Sequence, residues 1–147
     1  MRKAKRWRYY CGYCKKTGGS GAAMLRHEEG CTLNPNRFCR VCNAIEAEQK
    51  SIAHLISVMP DPKEYIHRAN DNCSWFTDEL TVASNAVLPD LRDMTENCPA
   101  CIMAAIRQAG IPVPMVTDFD WTKEMASIWS EINSAQRDED ERYYCNE

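Results

Sequence analysis

The longest regular pattern of apolar positions lies between residues 43 and 59. Apolar side chains recur there at spacings of three, four and seven residues, which is typical of one face of an amphipathic helix. The positions on this face are Ile45, Ile52, Leu55, Ile56 and Met59. Pro60-Asp61-Pro62 follows directly, and proline cannot continue a helix because it lacks a backbone N–H. The pattern therefore predicts a helix from about Asn43 to Met59.

Two further helices are predicted in the middle of the chain. A short helix is expected over 63–69, and Asp71-Asn72 after it is typical of a loop. A longer helix is expected to begin near Thr77 or Asp78. It is expected to be interrupted at Pro89, because a proline ring clashes with the preceding helical turn.

Cys98-Pro99-Ala100-Cys101 begins another predicted helix, since proline is favoured at the first helical position. We expect this helix to run to Gln108, with Gly110 as its C-terminal stop. Two prolines within residues 111–116 predict an extended segment there.

An apolar stripe with helical spacing predicts the last helix, which Asp118 or Asp120 can cap. The stripe consists of Trp121, Met125, Ile128, Trp129 and Ile132. Such a stripe usually covers the protein's own core, whereas an exposed part of it would serve a partner. No strand-rich region is predicted beyond the N-terminal segment, so the fold class is mainly α.

Charge is divided unevenly along the 147 residues, whose formal net charge is −3. Residues 1–42 contain ten Lys or Arg and two Glu, which gives +8. The remainder contains eight basic and nineteen acidic residues, which gives −11. This asymmetry predicts a basic contact surface at the front and an acidic body that faces solvent or a partner.

Six of the nine cysteines form three Cys-x-x-Cys pairs. No apolar segment follows the basic residues 1–6, so a secretory signal is not expected, and no stretch is apolar enough for a membrane span. We expect a cytoplasmic protein, or one within a virus particle assembled there. In a reducing compartment these pairs favour metal binding over disulfides.

The N-terminal cysteines have a spacing that suits zinc. The candidate ligands, in the pattern Cys-x2-Cys-x12-His-x3-Cys, are Cys11, Cys14, His27 and Cys31. Two cysteines on a tight turn supply two thiolates, and a helix presents His27 and Cys31 one turn apart on a single face. The spacing therefore predicts a zinc finger, which we place at residues 11–36.

Residues 9–31 resemble the classical zinc-finger family, with cysteine in place of the last histidine. Tyr9 matches the aromatic residue that usually precedes the first cysteine, and Met24 matches an apolar position of the finger helix. Gly18 stands where the family has its core aromatic residue. We therefore expect a small core, to which zinc or neighbouring protein must add stability.

The same resemblance implies base-contacting positions at Ser20, Ala22, Ala23 and Arg26. Only Arg26 can hold a guanine edge, so sequence-specific DNA binding is not expected. Residues 1–10 form a basic arm that either contacts phosphates and bases or stays solvated while its aromatics pack on the finger. The candidate nucleic-acid-binding residues are Arg2, Lys3, Lys5, Arg6, Trp7, Arg8 and Arg26.

The two remaining Cys-x-x-Cys pairs predict a second zinc site across a gap of 55 residues. Its candidate ligands are Cys39, Cys42, Cys98 and Cys101. Helices that return the chain to its start would let four thiolates close a structural site. Two alternatives remain open. They are free buried cysteines, or a redox pair at the helix start, where the second pair resembles a thioredoxin-type active site.

An enzyme is not expected. Two zinc ions with four protein ligands each leave no coordination position for water or substrate. His27-Glu28-Glu29 matches part of the zinc deaminase pattern, but Phe38 and Asn97 replace the proline that precedes the Cys-x-x-Cys of that family.

These features predict a small zinc finger followed by a helical body, whose helices are held together by a second zinc ion. We divide the chain into a basic arm (1–10), the finger (11–36), the body (37–136) and an acidic tail (137–147). The expected function is that of a non-catalytic structural or adaptor protein bound to other proteins in a larger assembly. Small proteins with this combination resemble ones encoded by bacteriophages, which suggests a phage particle. The alternative is a nucleic-acid-binding accessory or regulatory protein.

Overall fold

A computed structural model describes residues 6–145 of the chain, with side chains described through Asp138. Two short antiparallel strands, β1 (Tyr9–Tyr10) and β2 (Thr17–Gly18), begin the described part. Helix α1 (Gly21–Gly30) follows, and the Ser20 hydroxyl accepts a hydrogen bond from the Ala23 N–H at its start. Two strands and a helix thus hold the predicted finger.

Helices dominate the rest of the chain, which confirms the mainly α fold class. They are α2 (Arg40–Ala44), α3 (Ile52–Ser57), α4 (Asp78–Met94), α5 (Pro99–Gln108) and α6 (Trp121–Cys145), with 3-10 helices at Pro62–Tyr65 and Val113–Met115. Helix α6 runs without a break across residue 136, where the sequence suggested that a tail begins. The division of the chain into an arm, a finger, a body and a tail stays a prediction.

The single helix predicted over 43–59 is wrong, because the chain turns between α2 and α3. Glu46 adopts a positive φ of 57°, which no α-helix contains. The Ser51 hydroxyl then accepts a hydrogen bond from the His54 N–H and begins α3. The turn allows the Gln49 side-chain oxygen to accept a hydrogen bond from the backbone N–H of Cys39, a contact that one straight helix would not permit.

The helix predicted over 63–69 is also wrong, and strands replace most of it. β3 (Ile66–Asn70) pairs antiparallel with β4 (Cys73–Phe76), with an irregularity between Arg68 and Asn70. His67 lies opposite Trp75, and their rings are 4.7 Å apart. The expectation of no strands beyond the finger therefore fails here, because cross-strand side-chain pairs favour the hairpin.

Helix α4 begins after Thr77 as predicted but continues through Pro89. Its buried residues lie on both sides of the proline, and packing of this face favours one continuous helix. Leu80, Ser84, Leu88 and Leu91 form the buried face. The segment predicted as extended over 111–116 contains the 3-10 helix at Val113–Met115, which two prolines allow because proline suits the first helical turn.

Helices α5 and α6 agree with the sequence pattern. Pro99 begins α5, and Gly110 follows it with a positive φ of 78°. The Asp120 side chain accepts a hydrogen bond from the Lys123 N–H at the start of α6. Local chemistry therefore favours both boundaries of α5 and the start of α6.

Helix α5 lies at the centre of the main core, where its residues from Pro99 to Ile106 are all buried. Side chains of α2, α3, α4 and the loop before α6 pack around it. The stripe of α6 mostly covers this core, since Trp121, Met125 and Ile128 pack against it. Trp129 lies at the edge of the covered region, and 36% of its surface is exposed to solvent.

Among the helices of the described chain, none combines the length and apolar character that a bilayer crossing requires.

Candidate metal centres

The tight turn after β1 carries the first two ligands of the N-terminal centre. The backbone N–H of Cys11 donates to the Lys16 carbonyl at 3.0 Å and closes the turn. The N–H of Tyr13 donates to Cys11 Sγ and that of Lys16 to Cys14 Sγ, each at 3.4 Å. The hydrogen bond to Cys11 Sγ favours its thiolate, the form of cysteine that binds metal.

Helix α1 brings the other two ligands to this turn. His27 lies in its last turn, and its Nε2 is 3.2 Å from Cys14 Sγ. Cys31 was expected on the helix but lies directly after it, in an extended conformation. All four ligand atoms of Cys11, Cys14, His27 and Cys31 still lie within 4.8 Å of one another. The centre therefore assembles as the spacing predicts.

Little apolar packing supports this first centre. Its separate core consists of three buried residues, Cys11, Met24 and Cys31, with Cys14 and Leu33 against them. The Met24 side chain comes within 3.5 Å of where a Cβ on Gly18 would lie, so it occupies part of the space left by the missing aromatic. Two of the three core residues are metal ligands, so the finger depends on the metal for its stability.

Two helix starts carry the ligands of the second centre. Cys39 immediately precedes α2 and Cys98 immediately precedes α5, while Cys42 and Cys101 lie one turn further on. All four cysteines are at least 98% buried, and their Sγ atoms lie within 4.8 Å of one another. Both pairs belong to the same buried core, although they lie far apart in the sequence. The four thiols therefore form one cluster.

The sulfur distances fit zinc and not disulfides. Cys39 Sγ and Cys98 Sγ are 3.5 Å apart, and Cys42 Sγ and Cys101 Sγ are 3.4 Å apart. A disulfide requires about 2.05 Å. Zn–S bonds of about 2.3 Å in a tetrahedron place sulfurs about 3.8 Å apart. Each cluster thus offers a complete tetrahedral ligand set for one zinc ion, which confirms the prediction of two.

Burial and hydrogen bonds prepare several ligands for metal. Burial lowers the pKa of His27, and the charge of Lys16 lowers it further, which favours the neutral imidazole that coordinates zinc. Burial alone would raise the pKa of the Cys11 thiol, but hydrogen bonds from nearby backbone N–H groups outweigh it and lower the pKa. Hydrogen bonds among the four cysteines of the second cluster lower the pKa of Cys39 and raise those of Cys42 and Cys98.

Two residues beside the second centre had no assigned role in the sequence. Arg37 is buried, and its Nη1 donates to Cys101 Sγ at 3.3 Å. Although burial lowers the pKa of its guanidinium, the Cys39 and Cys101 thiolates outweigh it and raise the pKa. The Gln49 side chain bridges the Cys39 N–H and the Arg37 carbonyl, at 2.6 Å each. The contact of Arg37 with Cys101 has no local signal, because the two residues are 64 positions apart in the sequence.

The candidate nucleic-acid-binding residues are only partly described. Arg2, Lys3 and Lys5 lie outside the described residues. Arg6, Trp7 and Arg8 are exposed before β1, and Arg26 is exposed on α1. Their exposure leaves them accessible to a partner, and their role stays a prediction.

Among the described side chains, the other two histidines and Cys73 do not join either cluster. His54 and His67 are exposed. Cys73 is exposed on the β3–β4 hairpin and lies outside both clusters. The hairpin, absent from the sequence prediction, places it there.

The two ligand clusters and the helical core define a mainly α-helical, zinc-binding protein whose first centre has the ligand order of a zinc finger. No protein-family model, curated protein or solved structure matches this chain.

Proposed function

We propose that the chain is a non-catalytic structural or adaptor protein within a larger macromolecular assembly, for which a bacteriophage particle is the example suggested by its combination of zinc sites. One observation carries the proposal. Both clusters supply four protein ligands, so a zinc ion in either has no position left for water or substrate. Zinc of this kind stabilises a surface for binding and does not perform chemistry.

Apolar side chains on the surface support a role in protein binding. Large apolar residues that are at least half exposed include Trp7, Tyr10, Leu25, Phe38 and Trp75. Tyr13, Leu25 and Phe38 line one shallow groove of the finger, together with Glu28 and Glu29. Apolar side chains with charged residues beside them are typical of protein interfaces.

Sedimentation of the protein in extracts of its own cells tests this function. A free chain of 16.8 kDa would sediment slowly, whereas an assembly component should sediment with much larger particles. Leu25→Ala should release the chain from the assembly, because it removes an apolar side chain that is 64% exposed to a partner. It should not cause loss of zinc, because that side chain lies outside the finger core. Val82→Ala, at an equally exposed position on α4, is the matched control. A wild-type chain found only as a free monomer would contradict the proposal.

Nucleic-acid binding is the second candidate function, and the exposure of Arg6, Trp7, Arg8 and Arg26 supports it. Each phosphate that a basic side chain neutralises releases counterions, so affinity for any sequence should fall steeply with salt. Replacing the five basic residues of the arm by alanine should then abolish binding. The replaced residues are Arg2, Lys3, Lys5, Arg6 and Arg8. Salt-independent binding, or binding unchanged in this variant, would exclude the arm as the contact.

A further inference from the structure

A cleft of about 530 Å³ lies between the finger and the helical body. Ala23 and Arg26 of α1 line one side, and Trp121, Met125 and Trp129 of α6 line the other. The cleft contains no open metal position, because the zinc ligands that line it belong to complete four-ligand sets. It is therefore a separate feature from the chemistry of the two centres.

Positive charge dominates this cleft, and no Asp or Glu is among the described residues that line it. The Arg37 guanidinium is directed at a thiolate of the second centre. The basic residues that remain for a ligand are Lys16, Arg26, Arg40 and Arg107. Arg40 lies 3.9 Å from Glu29, but both side chains are exposed and such a pair contributes little. Arg107 donates to the neutral hydroxyl of Thr32.

Aromatic side chains face the same space. Trp129 lines the cleft with 36% of its surface exposed, and Trp121 beside it is half-buried. Packing of Trp121, Met125 and Ile128 against the main core fixes the helix that carries both indoles. A fixed and partly open indole is a platform on which a nucleobase can stack.

The basic surface continues beyond the cleft toward the N-terminal arm. Arg8 Nη1 donates to Thr17 Oγ1 at 3.1 Å, which places it beside the residue that follows Lys16. Arg6 and Trp7 precede it and are exposed. A linear polyanion with a phosphate at every residue fits such an extended track better than a compact anion does.

A double helix does not fit this arrangement. Ala23 and Arg26 occupy base-contacting positions of the finger helix, and a recognition helix must lie inside the major groove to use them. Here both residues line a cleft whose other wall is α6, so that face of α1 is not open to a duplex. A single strand, with its bases free to stack, needs no such open face.

We propose that this cleft binds single-stranded nucleic acid, with phosphates against Lys16, Arg26 and Arg107 and a base against Trp129. The proposal rests on the second candidate function and names its site. An acidic peptide would use the positive charges but not the aromatic wall, so the two features together favour a polynucleotide.

Fluorescence anisotropy of the zinc-loaded full chain with labelled oligothymidine of about 16 nucleotides tests the site. The double variant Lys16→Gln and Arg26→Gln should bind about tenfold more weakly. It should also lower the slope of log affinity against log salt by about 1.4, since each single-strand phosphate contact contributes about 0.7 to that slope. Trp129→Leu should weaken binding about tenfold and leave the slope unchanged, because it removes stacking only. Lys63→Gln with Arg68→Gln, which removes the same charge outside the cleft, should bind as the wild type does.

Zinc content and circular dichroism identify any variant that fails to fold. If Trp129→Leu fails to fold, the double variant of Lys16 and Arg26 alone tests whether the cleft binds nucleic acid. If substitution of Arg6 and Arg8 abolishes binding while both cleft variants bind fully, the proposal that the cleft is the binding site is wrong. The chain would then still bind nucleic acid, through the N-terminal arm. No binding by the wild type overturns both. Equal displacement by polyglutamate of matched charge, or tighter binding of a duplex, also overturns the proposal.

Discussion

At the scale of single residues, the charge of the second metal centre gives Arg37 its importance. Four thiolates around Zn²⁺ carry a net charge of −2, and all four are buried. A buried anion is costly unless a cation and hydrogen bonds compensate it. Arg37 supplies a positive charge and a hydrogen bond through its contact with Cys101 Sγ. Gln49 bonds to the Arg37 carbonyl and the Cys39 N–H and so fixes the backbone between these residues.

We expect Arg37→Gln to weaken zinc binding at the second centre about 10- to 100-fold, as is usual when a group that supports a metal ligand is removed. Competition with a chelator, with zinc release followed by a chromophoric indicator, measures this. Arg40→Gln is the matched control, because Arg40 is exposed. Arg37→Lys should retain part of the affinity, since it keeps the charge but not the planar fork. Equal zinc affinity of Arg37→Gln and the wild type would falsify this role.

At the scale of elements, the finger and the helical body have separate cores. The finger core contains Cys11, Met24 and Cys31, whereas α5 organises the main core. Hydrogen bonds across the surface join the two parts, such as the one from the Phe38 N–H to the Glu29 carbonyl at 2.7 Å. Gln108 also donates to two carbonyls that follow the finger helix. Among the described residues, the two parts are therefore attached by polar contacts and their buried apolar residues form separate clusters.

His27→Ala should consequently unfold the finger and leave the body folded. Without its fourth ligand the first centre loses zinc, and three buried residues cannot replace that stabilisation. Hydrogen exchange should show amide protection lost over α1 and retained over α5. His54→Ala, at an exposed histidine of α3, should change neither. Loss of protection in α5 would instead show that the finger belongs to one cooperative core.

At the scale of the whole molecule, the second centre joins segments that are distant in sequence. Cys39 contacts Cys98 and Cys42 contacts Cys101, and the residues of each pair are 59 positions apart in the sequence. The four thiols lie inside the main core, with α2 on one side and α5 on the other. Zinc there fixes how these helices pack, so metal content and global folding should be linked.

Elemental analysis should give two zinc ions per chain. In the native protein Cys73 should alkylate rapidly, because it is exposed, whereas the seven cysteines of the two clusters should react only after chelation. Mass spectrometry of the alkylated peptides measures this, and the exposed Cys73 serves as the internal control. A single zinc ion per chain, with Cys98 and Cys101 alkylated in the native protein, would rule out the second centre.

Local chemistry made several features predictable from sequence. Cys11 and Cys14 lie on one tight turn and His27 lies four residues before Cys31, so backbone geometry alone keeps each pair close together. The same holds for α5, which begins at Pro99 and ends before Gly110 because those residues favour helix boundaries wherever they occur.

Only the tertiary structure decided the features that depend on distant contacts. The sequence left Cys39, Cys42, Cys98 and Cys101 open to redox or free-thiol roles, and packing around α5 brought them into one cluster. The chain turns at Glu46 within the helical pattern over 43–59, where Gln49 contacts Cys39, and strand pairing replaces most of the helix expected over 63–69. Periodicity records local preference, whereas these outcomes arise from contacts between residues that the pattern does not relate.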